Sequence, residues 1–321
     1  MALFNSWKLG GLGWKGLAQK VWSEVQEDDV FGRAAQLSYY FLLALFPLLL
    51  FLTAILGYFA QAGTELRADL LRYLGTVVPA EATDLIHTTI DEFSEGSSGG
   101  KISFGLLAAL WAASNGMGAI TETLNVAYEV EETRPWWKTR LLAILLTIGL
   151  AVLIIMALTL VLFGGMIAEA IAANFSFGSA FTTAWKVLQW PIVLVFVLFA
   201  FALMYYIAPN KEIRRWDWIA PGTVIAVALW LLASFGFRLY LNYFNSYSAT
   251  YGSLGAVIIL MLWFYVTGAA VLIGGEVNSE IEKAEKAQEQ SARELQNKTP
   301  GEQAAAGRRE ERKQKAAGKS S

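Results

Sequence analysis

The sequence predicts an all-α, polytopic membrane protein with six transmembrane helices. Three observations predict it: six apolar segments long enough to cross a bilayer, positive charge concentrated in alternate loops, and a composition far from that of a soluble domain. Hydrophobic residues make up 55% of the 321-residue chain and charged residues 16%, with a mean hydropathy of +0.44. A soluble chain carries about 25% charged residues. A span needs about 20 apolar residues, rising about 1.5 Å each, to cross roughly 30 Å of hydrocarbon. Segments 37–60, 102–127, 141–166, 187–207, 218–240 and 252–276 satisfy that length and form a membrane domain over 37–278.

Residues 1–36 are expected to be a cytoplasmic segment. Within it Trp14, Leu17, Val21 and Val25 recur at helical spacing, with Lys15, Lys20 and Glu24 between them. That pattern predicts an amphipathic helix over 12–27, lying on the cytoplasmic leaflet. Glu27, Asp28 and Asp29 read as a solvated turn. The first apolar run begins near Leu37, too deep for an ordinary secretory signal, and is read as an anchor. At its start Arg33, Gln36 and Tyr40 share a helix face, and Pro47 further on is expected to kink the helix.

An external loop over 61–101 holds two further amphipathic patterns, Leu66, Leu70, Leu74 and then Leu85, Ile86, Ile90, Phe93. Span two places Asn115, Gly118, Glu122 and Asn125 at spacings that share one face, beside the small-residue stripe Ala108, Ala112, Gly116. Two readings of those polar residues stay open: they join helices, or they line a polar cavity.

Arg134, Lys138 and Arg140 precede span three, and Lys211, Arg214 and Arg215 precede span five, so both loops are expected in the cytoplasm. Six spans then place both termini on that side. Span five opens with Pro221-Gly222 and carries Ser234, Arg238 and Asn242 on one face among tyrosines. These form either a headgroup belt or an anion site around Arg238. Span six is bounded by glycines, Gly252 and Gly255 at one end and Gly274 and Gly275 at the other. With Pro47, Gly116, Pro221 and Gly222, the residues Gly252, Gly255 and Gly275 are the expected hinge or close-approach positions. Glu276 either reaches the cytoplasmic surface or pairs with a cation such as Arg33. The tail, 279–321, is charged and nearly free of large apolar residues. It is expected to prolong span six as a solvated helix to about Asn297 and to be largely disordered beyond.

Several motifs resemble the YihY/BrkB family of bacterial inner-membrane proteins. They are Arg33-Ala-Ala-Gln-Leu-Ser-Tyr-Tyr-Phe, Phe46-Pro47-Leu48-Leu49, Trp111-Ala-Ala-Ser-Asn-Gly with Glu129 to Arg134, Trp218-Ile-Ala-Pro-Gly-Thr, Tyr251-Gly-Ser-Leu-Gly-Ala, Leu262-Trp-Phe-Tyr and Gly274-Gly-Glu-Val-Asn. The resemblance covers about residues 30–280. It implies a multi-pass protein of the bacterial inner membrane, linked with serum resistance and with tolerance of altered lipopolysaccharide precursors. An older label for some members is ribonuclease.

Enzymatic chemistry is not expected from these residues. Cysteine is absent and His87 is the single histidine, which removes thiolate nucleophiles and histidine-rich metal sites; no cofactor or metal motif is present. The sequence pI near 5.7 offers no basic face for nucleic acid. The expected function is transport or flipping of an envelope lipid or lipid-linked intermediate, along a path drawn from Arg33, Gln36, Tyr40, Asn115, Glu122, Asn125, Arg238 and Glu276. The alternative is a scaffold for envelope-assembly proteins. Membrane lipids are the expected partners, and a homo-oligomer is left open.

Overall fold

The computed structural model describes residues 11–59, 99–175, 179–211, 219–243 and 253–297. Most of the external loop, Gly252, Tyr247, Tyr251, His87 and the tail beyond Asn297 lie outside the described residues. Seven α-helices account for the rest: α1 (Trp14–Glu27), α2 (Val30–Phe59), α3 (Gly99–Ala127), α4 (Trp136–Phe175), α5 (Ser179–Ile207), α6 (Ala220–Tyr243) and α7 (Ser253–Asn297). No strand occurs among the described residues.

Each long helix packs on the next in sequence, α2 on α3 through to α6 on α7, and α7 closes the ring by packing on α2. The last helix also touches α3, so α7 sits at the centre of the packing. Among the described residues, four helical stretches are long and apolar enough to cross a membrane: Trp136–Glu169, Phe181–Ile207, Ala220–Leu241 and Val257–Glu294. The spans expected at 37–60 and 102–127 coincide with α2 and α3, part of whose side chains lie outside the described set. Pro47 sits inside α2 without ending it, and Pro191 does the same in α5.

The α1–α2 corner is made by Asp29, whose φ of 50° lies in the left-handed region that Asp tolerates better than most residues. Its carboxylate then caps α2 by accepting the Gly32 amide at 3.3 Å. An expectation changes at this corner. Leu17, Val21 and Val25 are buried in the same core as Val277 and Ile281, with α1 packed on α7. The apolar face of α1 therefore meets protein, where a lipid surface was expected, while Trp14 and Trp22 point outward.

The tail expectation changes in the same way. The helix does run to Asn297, but Ser279, Glu280, Ile281 and Glu282 are buried, and the exposed stretch runs from Lys286 to Glu294. The core near this end holds Leu37, Leu124, Tyr205, Ile219, Leu272 and Ile281, all with almost no exposed surface. An aromatic chain joins the ring: Phe201 to Trp230 at 6.4 Å, Trp230 to Trp263 at 6.3 Å, Trp263 to Phe264 at 5.6 Å and Phe264 to Phe41 at 5.7 Å.

Candidate functional site: polar junctions at the charged end of the bundle

Polar side chains concentrate at the end of the ring where α1, the α3–α4 turn, the α5–α6 turn and the second half of α7 meet. Asn125, buried near the end of α3, donates to Glu132 at 2.9 Å and accepts the Asn210 amide at 2.8 Å. Asn210 donates in turn to the Glu131 carbonyl and the Thr133 hydroxyl, each at 2.8 Å. Arg134 grips Glu132 through Nε at 2.7 Å and reaches the Ala208 carbonyl at 3.0 Å. These bonds stitch the two turns together. Hydrogen bonds from Arg134 and Asn125 stabilise the charged form of Glu132 and hold its carboxyl below the usual range.

Deeper in, Lys211 pairs with Glu282 at 3.0 Å, both side chains nearly excluded from solvent, and its ammonium lies 3.8 Å from the centre of the Tyr128 ring. Burial pushes the Tyr128 phenol up. Asn278 on α7 accepts the Gly222 amide at 2.8 Å, satisfying one of the free amides of the first turn of α6. Glycine is required here for close approach. A Cβ on Gly274 would lie 2.5 Å from Ala226 Cβ and 2.8 Å from the Gly222 carbonyl, and one on Gly222 would lie 2.3 Å from the Gly274 carbonyl.

Beside this junction, Glu24, Asp28 and Glu276 bring carboxylate oxygens within 4.8 Å of one another. Glu276 is only 1% exposed, and no N–H or hydroxyl donor reaches either of its oxygens among the described residues. Burial raises both Glu24 and Asp28 above the usual carboxylate range, against the attraction of Lys283 in the first and, in the second, against a hydrogen bond with the Glu276 carboxyl and the attraction of Arg33. Lys283 instead spreads its charge over Glu24 at 3.5 Å, Glu280 at 2.8 Å and Glu129 at 2.6 Å.

The structure therefore sorts the predicted residues into separate places. Glu276 is buried against acids and meets neither alternative left open for it: it does not reach the surface, and Arg33 Nε donates to the Asp28 carbonyl at 2.7 Å. Asn125 belongs to the turn-stitching network. Tyr40 is half-buried against the core, while Gln36, Glu122 and Arg238 are exposed. Asn115 is exposed too and accepts a bond from Arg140 at 2.7 Å. Asp28 leaves the solvated turn expected for it and joins Glu276. Of the hinge positions, Gly116 lies against Ala44, Gly275 against Leu124, and Pro221 and Gly222 are buried at the start of α6. Gly255 is buried in α7. Sequence reasoning missed Glu24, Lys211, Asn210 and Lys283 as site residues. Asn278 was visible only as part of the Gly274-Gly-Glu-Val-Asn motif.

The family model described as Virulence factor BrkB matches residues 21–299, which include every junction residue named above. The chain belongs to the BrkB family. A ribonuclease-like protein of Bacillus subtilis, YfkH, is 38% identical over 254 residues, covering 79% of this chain and 90% of the relative. A UPF0761 membrane protein of Vibrio parahaemolyticus is 31% identical over 268 residues, covering 80% and 79%. A UPF0761 membrane protein of Vibrio campbellii is 30% identical over 277 residues, covering 83% and 82%. No solved structure matches. This BrkB-family chain is thus an integral membrane protein, and the family resemblance read from its motifs holds across the membrane domain.

Proposed function

We propose that this BrkB-family protein moves an envelope lipid or lipid-linked intermediate across the bacterial inner membrane, using six spans with both termini in the cytoplasm. The observation that carries the reading is the cluster at the seam where α3 meets α4. There the Arg140 guanidinium lies 3.9 Å from the centre of the Trp111 ring, bonds Asn115 and the Trp111 carbonyl, and has Trp136 beside it, 6.1 Å from Trp111 ring to ring. Around this cation Leu107, Leu141 and Leu145 are all exposed. A guanidinium and an amide suit a phosphate or other anionic headgroup. The flanking leucines suit acyl chains, so the surface matches an amphiphile better than a solute that is wholly polar. The chain contains no phosphate-binding glycine loop, so the reading assigns the driving force to an ion gradient, a partner or the substrate's own gradient.

In this reading the protein is a transporter and not an enzyme. The ribonuclease-like name belongs to the Bacillus subtilis relative, and a hydrolase built on thiol or paired-histidine chemistry has no residues to use in this sequence. The test is reconstitution into liposomes carrying a fluorescent anionic phospholipid, read by leaflet-specific quenching. Wild-type protein should accelerate transbilayer movement, and the Asn115→Leu/Arg140→Gln double variant should lose at least about ten-fold of that rate, or about 1.4 kcal/mol of barrier. No acceleration by wild-type protein, with or without an imposed proton gradient, would overturn the reading and favour the scaffold.

A further inference from the structure

We infer that Glu24, Asp28 and Glu276 form a binding site for a hard divalent cation that fastens α1 to the end of the last transmembrane helix. Three independent features meet there. The first is geometry: one ligand atom from each carboxylate lies within 4.8 Å of the others. Calcium holds oxygens at about 2.3–2.6 Å, so two ligands on opposite sides of one ion stand at most about 5 Å apart. The observed spacing brings all three groups within reach of a single Ca²⁺, or of Mg²⁺ with water completing the shell.

The second is the state of Glu276. It is 1% exposed and aimed into the cluster, where its carboxyl faces that of Asp28 and no N–H or hydroxyl donor reaches either oxygen among the described residues. A buried carboxylate left without donors is costly. Of the nearby cations, Lys283 divides itself among Glu24, Glu129 and Glu280, Arg33 Nε goes to the Asp28 carbonyl and Lys20 to Glu280, and none bonds Glu276 among the described residues. Asp28 Oδ2 is likewise buried without a partner.

The third is charge. Glu24, Asp28, Glu129, Glu276 and Glu280 face Lys20, Arg33 and Lys283 at this corner, a formal excess of two acidic groups over basic ones. One divalent ion cancels it. Its ligands come from α1, the α1–α2 corner and α7, so occupancy ties the amphipathic helix to the bundle.

The test uses the full-length protein in detergent, stripped with EDTA, and reads calorimetric titration and the tryptophan-fluorescence unfolding midpoint with Ca²⁺ and, in parallel, Mg²⁺. One ion per chain should bind and raise the midpoint. Glu276→Gln and Asp28→Asn should each weaken binding at least about ten-fold, or about 1.4 kcal/mol, while Glu289→Gln on the exposed end of α7 should not. In EDTA, Glu276→Gln should melt at or above wild type, because an amide relieves the crowding of three carboxyl groups; that separates loss of the site from loss of the fold. The inference is overturned if neither ion shifts the wild-type midpoint, or if Glu276→Gln responds as wild type does.

Discussion

The α4–α5 pair and the second half of α7 are built from opposite rules. Along α4 and α5 the large apolar side chains point outward: Leu141, Leu145, Val152 and Met156 on one helix, Val187, Leu188, Leu194 and Val195 on the other. At the end of α7 the polar side chains point inward, with Glu276, Asn278, Ser279, Glu280 and Glu282 all buried. In hydrocarbon, apolar surface needs no protein partner, so a helix can leave it exposed. Charge has no such freedom, and each buried carboxylate on α7 must be met by a lysine, an amide or an ion. The contrast teaches that long apolar runs mark where this protein meets its solvent, whereas specific tertiary structure is written in the few ionisable residues at one end.

Breaking the Lys211–Glu282 pair should have the largest effect. Lys211→Met leaves Glu282, among the described residues, with the half-exposed Lys286 and should cost about 3 kcal/mol. The Lys211→Met/Glu282→Leu double variant should recover most of that loss in thermal unfolding, and equal loss in single and double variants would refute the assignment. Gly274→Val comes next. The added side chain would strike Tyr205, Ala226 and the α6 backbone, so it should cost about 1–3 kcal/mol and separate α6 from α7. A monodisperse variant with an unchanged melting point would show that this crossing is looser than described.

Acid should act on the two carboxylate groups in opposite directions. Glu132 has a folded pKa below its unfolded value, so its stabilisation is present above the unfolded pKa and is lost as pH falls through the folded one. Glu132→Gln should therefore flatten the loss of stability on acidification, an effect on the order of 1 kcal/mol. Glu24 and Asp28 have raised folded values, so in the metal-free protein they oppose folding at neutral pH. That opposition is relieved as pH falls through the folded pKa. Melting curves from pH 7 downward, with and without Glu24→Gln/Asp28→Asn, would show the two signs; identical profiles for all variants would contradict both. Leu188→Ala, on the outward face of α5, should have the smallest effect, within about 0.5 kcal/mol. A larger loss would mean that this face is covered by another copy or partner.

The span-two residues show how far sequence spacing reaches. Asn115, Glu122 and Asn125 were expected on one face, yet Asn115 and Glu122 are exposed and Asn125 is buried. At about 100° per residue, Glu122 falls within about 20° of Asn115, but Asn125 stands about 80° away. An arc that wide straddles two surfaces once α3 is packed on its neighbours. Leu17, Val21 and Val25 show the same limit: their spacing identified the helix and its apolar face, while α7, not lipid, turned out to cover it. Arg33 and Glu276 have the right charges and the right end of the bundle, and the chain still joins Arg33 to a backbone carbonyl.

The sequence by itself determined what local physics governs. Apolar length and loop charge marked the helical spans; spacing marked α1; the missing Pro and Gly between Glu276 and Asn297 let the last helix run on. Motif identity determined the family. Only the tertiary structure decided which polar groups meet, because those meetings join residues remote in the chain, Lys20 with Glu280 and Lys211 with Glu282, Asn125 with Asn210. Contacts of this kind depend on the rotation of each helix about its axis, and a shift of one residue, about 100°, turns a solvated carboxylate into a buried one.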